Sequence, residues 1–229
     1  MLLKFLVVNM KVNMNFKILI PARGGSKRIP KKNMVDVGGK PLISYVLDQC
    51  KLITNDVYVS SDDRDILDFC VKSGVNTMVR PEELSTDFSR SEEAVEHFIK
   101  EVEDDFDIIV VVQPTSPLLL AKYIEEGLGM IDNYDTVMSV VKDTPFYWDE
   151  DGNPINFKLG DRWRGRTQDR TIWYKESGAF YITKVKNFMS DYILQNGKVG
   201  FIPMKKSESI DIDTYEDLEL VTKIIGDGV

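Results

Sequence analysis

Two clusters at opposite ends of this sequence carry the residue types that handle phosphate. The first is Ala22-Arg23-Gly24-Gly25-Ser26-Lys27-Arg28-Ile29-Pro30-Lys31-Lys32-Asn33, which follows directly on the apolar run Phe16–Pro21. Gly24 and Gly25 allow a close backbone approach and amides that point at an anion. Arg23 and Lys27 bring positive charge to where triphosphate oxygens would lie. The second cluster is Ser209-Ile210-Asp211-Ile212-Asp213-Thr214. In an extended chain its alternation puts both carboxylates on the face opposite the isoleucines. Two carboxylates facing a triphosphate suit Mg²⁺, a hard ion that takes oxygen ligands and shares them with substrate phosphates.

Other chemistries lose ground on the same residues. The dinucleotide pattern GxGxxG is absent, and so is the GxxxxGK[ST] loop of the common nucleoside triphosphatases. His97 is the only histidine, which argues against multi-histidine metal sites and a Ser-His-Asp triad; among Ala94, Val95, Phe98 and Ile99 it reads as a helix residue. A net charge of -8 over 229 residues argues against a nucleic-acid partner, whose binding rests on neutralising phosphates. It also leaves the basic loop as a local concentration of positive charge. Cys50 and Cys70 show no metal-ligand spacing and read as two reduced thiols of a cytoplasmic protein. The apolar run at Leu2, Leu3 and Phe5-Leu6-Val7-Val8 is too short to span a bilayer, and no cleavage site follows it. No membrane partner is expected, and residues 1–13 read as a dispensable extension ahead of a single domain over 14–229.

The elements that must position these clusters alternate along the chain. Pro41 introduces helical spacing through Leu42, Ile43, Val46, Leu47, Cys50 and Ile53. A strand at 56–60, a helix at 63–73 closed by Gly74 and a short strand at 75–79 follow. Residues 80–90 read as loop, and Ser91 is expected to cap a helix through Val102. The continuous run Ile108–Val112 predicts a central parallel strand buried on both faces, stopped by Gln113-Pro114-Thr115-Ser116-Pro117. A helix to about Asn133 and a strand at 136–141 continue the rhythm, which breaks over 142–176. There Phe146, Tyr147, Trp148, Trp163, Trp173 and Tyr174 stand among polar residues without periodicity. So many aromatics suit a lid or a subunit interface better than a solvated linker. Strands at 177–183 and Val199–Met204 and a helix at 215–225 close the chain. The alternation predicts an α/β fold with a mostly parallel, doubly wound sheet, its ligand crevice at the carboxyl ends of the strands.

The ordered motifs Ala22–Asn33, Ser60-Ser61-Asp62-Asp63, Arg80-Pro81-Glu82-Glu83-Leu84, Gln113–Pro117 and Ser209–Thr214 resemble those of the acylneuraminate cytidylyltransferases, the CMP-sialic acid synthetase family. The resemblance runs from about Phe16 to the end of the chain. Related CMP-Kdo synthetases tend to have proline where Asn33 stands, so Asn33 sides with the sialic-acid branch. The family implies a Rossmann-like nucleotidyltransferase fold and a reaction in which CTP and a nonulosonic acid give the CMP-sugar and pyrophosphate. By matching positions, Arg23, Ser26 and Lys27 would hold the triphosphate with Lys32 nearby, and Asn33 would touch the ribose. Arg80, Ser89 and Ser91 would line a cytosine pocket. Gln113 would contact the sugar, Arg166 its carboxylate, and Asp211 with Asp213 would bind Mg²⁺.

The implied chemistry is in-line attack of the anomeric oxygen on the α-phosphorus, with Asp211 or a metal-bound water taking the proton. Arg23 and Lys27 would offset charge on the transferring group. Family members are typically homodimers joined through the region that corresponds to 142–176. This sequence departs from the pattern at Leu119, at Arg170-Thr171 and at Ser177. Those departures leave the nucleotide positions intact and leave the sugar open among sialic, legionaminic, pseudaminic and Kdo-type acids. A catalytically silent nucleotide-sugar-binding protein is the competing reading, against which the paired aspartates speak.

Overall fold

The computed structural model describes residues 15–159 and 171–227. Its centre is a seven-stranded sheet built from β1 (Phe16–Pro21), β4 (Val57–Ser61), β5 (Asn76–Val79), β6 (Ile108–Val112), β7 (Thr136–Asp143), β8 (Trp173–Lys184) and β9 (Val199–Met204), in the order β5-β4-β1-β6-β8-β7-β9. Two residues of β2 (Asp36–Val37) and two of β3 (Lys40–Pro41) form a separate small hairpin. The helices are α1 (Leu42–Lys51), α2 (Arg64–Lys72), α3 (Ser91–Glu101), α4 (Ala121–Met130), α5 (Val185–Asp191) and α6 (Tyr215–Gly226).

Alternation along the central strands explains the layers. Ile18, Ile20, Val110 and Val112 face one side, where Ile43, Val46 and Leu47 of α1, Ile66 of α2 and Ile124 and Leu128 of α4 cover them. Leu19, Ile109 and Val111 face the other side, against Val95 and Phe98 of α3 and Phe188 of α5. All five residues of β6 are buried, as the unbroken apolar run requires when both faces of a strand are covered.

The sheet is mostly parallel, as expected, and the central strand β6 pairs in parallel on one side only. β6 is parallel to β1 but antiparallel to β8, and β8 runs against all six other strands of the sheet. An apolar run signals burial, not direction, so this reversal was invisible in composition. The expected break over 142–176 is narrower than its predicted bounds, because β7 continues to Asp143 and β8 already begins at Trp173. Asp143 pairs with Trp173 and Lys142 with Tyr174, which extends the two strands beyond the sheet as an antiparallel arm. Past the arm, Phe157 meets Phe146 and Trp148 edge-on, at ring separations of 4.8 Å each. The short α5 and the β2–β3 hairpin were not expected from periodicity; both are too short to show it.

A third, smaller core lies at the carboxyl edge of the sheet and matters most for function. Ile29 of the basic loop packs with Val37, Leu42, Val221 of α6, and Ile212 between the two aspartates. Ile29 is 1% exposed and Ile212 fully buried. Burying side chains of this size stabilises by roughly 1.5–3 kcal/mol each, enough to hold two irregular segments together.

Candidate active site

The segments after β1, β5 and β6 and the 209–214 segment form the walls of a cleft of about 560 Å³. β1 delivers Arg23, Gly25, Ser26, Lys27, Lys32 and Asn33. The loop after β5 delivers Arg80, Ser89 and Ser91, β6 delivers Gln113, and the 209–214 segment delivers Asp211 and Asp213. Arg166 lies outside the described residues. The remaining sequence-predicted residues therefore share one cavity.

Gly24 does not aim its amide at a ligand, which corrects the expectation for that residue. Its N–H donates to Asp62 Oδ1 at 2.9 Å, and a Cβ at this position would lie 2.6 Å from Asp63 Cβ. Glycine is needed here for close packing on the turn after β4, while Gly25 is the glycine that faces the cleft. Asp63 in turn caps α2, accepting from the amides of Asp65 and Ile66.

Arg23 and Lys27 converge on Asp87, a residue the sequence reading missed. Arg23 Nη1 donates to Asp87 Oδ1 at 3.2 Å and to the Thr86 carbonyl at 2.6 Å, while Lys27 Nζ lies 2.7 Å from Asp87 Oδ2. Lys27, followed by Arg23, holds the Asp87 carboxyl below the usual carboxylate range. Two cations that share one carboxylate are spaced to share phosphate oxygens as well. Nothing in the local spacing of the Thr86-Asp87-Phe88-Ser89 turn marked Asp87, because its partners come from a different strand end.

Lys32 has a different position from the other basic residues. Its Nζ donates to the Ile212 carbonyl at 2.9 Å and to Asp213 Oδ1 at 3.0 Å, and Arg28 Nη2 reaches the same oxygen at 3.0 Å. Lys32 thus ties the basic loop to the aspartate segment. The Ile212 amide donates to the Thr115 carbonyl at 2.8 Å, which fixes the segment on the loop after β6 as well.

Asp211 is the less compensated carboxylate. Burial, and after it the charge of Asp213, pushes its carboxyl above the usual range, against a lowering hydrogen bond from Thr115. Among the described residues no group of three or more His, Cys, Asp or Glu side chains could hold a metal alone. Two carboxylates that need further oxygens from a bound phosphate do fit a hard divalent cation, and the excess negative charge at Asp211 fits its positive charge.

Two of the cleft residues carry buried polar atoms that lack partners. Arg80 is 5% exposed, its Nε and Nη2 have no hydrogen-bond partner, and burial lowers its pKa. Unpaired buried guanidinium nitrogens are costly, and Arg80 is also one of the residues that line the cleft. Asn33 is also buried; its Nδ2 donates to the Arg23 carbonyl at 2.9 Å and its Oδ1 has no partner. Ser89 ties its own turn together, accepting from the Thr86 amide at 3.0 Å. Ser91 is the first residue of α3 and not its cap, which is Arg90; its Oγ instead accepts from Gln113 Nε2 at 3.2 Å. Arg90 can take that position because the Glu93 carboxylate reaches back to its amide at 3.3 Å. Gln113 is held by its own amide, which donates to the Ala179 carbonyl of β8 at 3.0 Å. Tyr181, also missed, lines the cleft as well. The Gly-Ala-Phe-Tyr run of β8 was legible as a strand, but not as a strand that meets β6 in reverse.

A family model described as cytidylyltransferase matches residues 17–224. An N-acylneuraminate cytidylyltransferase A of Danio rerio is 35% identical over 208 residues, which cover 87% of this chain and 48% of that protein. The chain therefore spans about half the length of that relative. A pseudaminic acid cytidylyltransferase of Campylobacter jejuni is 32% identical over 215 residues, covering 88% of this chain and 92% of that one. A solved CMP:2-keto-3-deoxy-manno-octonic acid synthetase, complexed with CTP, has a TM-score of 0.68 at 18% identity, covering 94% of this chain and 100% of that chain. The 4-diphosphocytidyl-2C-methyl-D-erythritol synthase of Anaerococcus prevotii has a TM-score of 0.70 at 13% identity, covering 93% and 96%. The two solved structures share the α/β fold, and the matched family spans both ends of the cleft, from the strand that delivers Arg23 to the segment that delivers Asp213. This chain belongs to the cytidylyltransferase family.

Proposed function

We propose that this protein couples CTP to a nonulosonic, sialic-type acid and releases pyrophosphate. The observation that carries this reading is the shared cleft. Arg80, the Arg23–Lys27 pair and Asp211 all line it. A guanidinium suits the O2 and N3 acceptors of cytosine, whereas the N3–H of uracil would oppose it. Asn33 Oδ1 suits a ribose hydroxyl, and Arg23, Ser26 and Lys27 suit the triphosphate. The names of the relatives support a sugar acid as the acceptor, and Gln113, which lines the same cleft, is assigned to it.

In the reaction the anomeric oxygen attacks the α-phosphorus, the bond from that phosphorus to the β-phosphate oxygen breaks, and pyrophosphate leaves. Asp211, or a water bound to the metal it would hold, takes the proton of the anomeric hydroxyl. Arg23 and Lys27 offset charge on the α-phosphoryl group and the leaving pyrophosphate. Asp211 and Asp213 would hold Mg²⁺, which supplies further charge neutralisation on the phosphate oxygens when bound. Arg166, in the Arg-Thr-Gln-Asp run, is assigned to the sugar carboxylate.

Pyrophosphate release from CTP and Mg²⁺, measured against a panel of sialic, legionaminic, pseudaminic and Kdo-type acids, tests this. Release with a sialic-type acid is the expected result. Strongest release with a pseudaminic or Kdo-type acid would keep the chemistry and change the sugar. No release with any acid, despite CTP binding, would favour a silent nucleotide-sugar-binding protein.

The exposed aromatics of the arm support a homodimer. Trp173 packs edge-on against Tyr147, and Tyr174 lies 5.4 Å from Phe201, yet all four remain more than a third exposed. Such rings are common anchors of subunit interfaces. Sedimentation of the intact chain is expected to give twice the 26.2 kDa chain mass; a monomer at micromolar concentration would reject the assignment. Cys50 and Cys70 are both free, and burial pushes each thiol up to about 12, which fits a protein that works in the reducing cytoplasm. No helix among the described residues is long and apolar enough to cross a membrane.

A further inference from the structure

Residues five apart in a regular strand point to opposite faces, so Glu176 and Tyr181 should not meet. They do meet, because β8 carries a large bulge. Tyr181 pairs with Met138 and Glu176 with Val140, so two steps along β7 are matched by five along β8. Gly178 absorbs the excess with a φ of +74°, a conformation that side-chain-bearing residues rarely adopt. The chain folds back and the Tyr181 hydroxyl donates to the Glu176 carboxylate, which also accepts from Gln195 Nε2 at 3.2 Å. Tyr181 is 8% exposed and lines the cleft, and its hydroxyl lies 4.0 Å from where a Cβ on Gly178, another lining residue, would stand.

A phenol has one proton to donate. With that proton directed at Glu176 and Gln195 donating to the phenol oxygen, the oxygen has only a remaining lone pair to offer to anything in the cleft. We propose that Glu176 is a positioning residue that fixes the Tyr181 hydroxyl as an acceptor, so that the sugar group read there is a hydrogen-bond donor. This rests on the sugar-acid reading of the cleft and deepens it. The group that meets Tyr181 is then an amide N–H or a hydroxyl of the sugar, and never its carboxylate, which would face that lone pair and the Glu176 charge. Burial, and after it the bond to Glu176, raises the Tyr181 pKa and keeps the phenol protonated.

The test is a double-mutant cycle read in KM. Glu176 is exposed and Tyr181→Phe removes a single oxygen, so both variants are compatible with the fold. Glu176→Ala lets the phenol rotate and is expected to raise KM for the sugar acid roughly fivefold to tenfold, with KM for CTP unchanged. Tyr181→Phe is expected to raise the same constant at least as much. The double variant should be no worse than Tyr181→Phe alone, because Glu176 acts only through the hydroxyl. Multiplying effects, equal rises in both KM values, or an unchanged sugar KM in Glu176→Ala would each overturn the assignment. Absence of turnover by the unaltered enzyme with every sugar acid would instead overturn the functional reading, and this one with it.

Discussion

Asp211→Asn is expected to lower the rate of CMP-sugar formation by about a thousandfold, the scale on which enzymes lose a major charge-stabilising group. The amide has the shape of the carboxylate but neither its charge nor its basicity, so it serves neither a divalent cation nor the departing proton. The same substitution should leave the ligand-free fold intact or slightly more stable at neutral pH. Burial raises the Asp211 pKa, so the folded chain binds this proton more tightly than the unfolded chain does. Stability then falls as pH rises from the ordinary carboxylate range through the raised pKa, and the cost is fully present above it. A neutral asparagine removes that cost. Thermal melting at pH 7 and pH 5 checks the stability part, since the wild type should gain on the variant as pH falls. Steady-state turnover checks the catalytic part. Normal turnover by Asp211→Asn would sink the assignment of this carboxylate to catalysis.

Arg23→Ala is expected to cost about a hundredfold to a thousandfold in kcat/KM for CTP, as loss of a preorganised donor to a transferring group does. Part of the loss should appear in kcat, because charge on the leaving pyrophosphate grows in the transition state. Arg23→Lys should recover only a fraction, since an ammonium lacks the planar guanidinium fork that meets phosphate oxygens in pairs. Loss of stability is not the explanation available here. The Arg23–Asp87 pair is partly exposed, with side chains 35% and 39% accessible, and such pairs contribute little to folding. Urea unfolding of Arg23→Ala should therefore nearly match the wild type. A variant with a raised KM and an untouched kcat would show that Arg23 holds the ground state only.

Several parts of this site were legible because their signals are local. A glycine-rich basic loop after an apolar strand, two aspartates alternating with isoleucines, and helices with a repeating apolar face all lie within a few residues of chain. Asn33, Arg80 and Gln113 came from the resemblance to a family, and the structure puts each in the same cleft. What stayed hidden depends on partners remote in the chain. Asp87 is defined by Arg23 and Lys27, from another strand end. Gly24 is defined by the Asp62 and Asp63 turn that it packs against. The resemblance put Lys32 near the triphosphate, but its contacts with Ile212 and Asp213 had no local signal.

Periodicity and composition settled that this chain builds alternating strands and helices around an apolar sheet, and they marked the residue types that bind phosphate and metal. Local steric and hydrophobic preferences act over a few residues, so they are written in consecutive positions. The direction of β8, the bulge at Gly178 and the meeting of Lys32 with Asp213 were decided only by tertiary structure. Each depends on which buried surfaces pair across long stretches of chain, as Ile29 and Ile212 do in the small core at the sheet edge. That packing turns two distant clusters into one cleft.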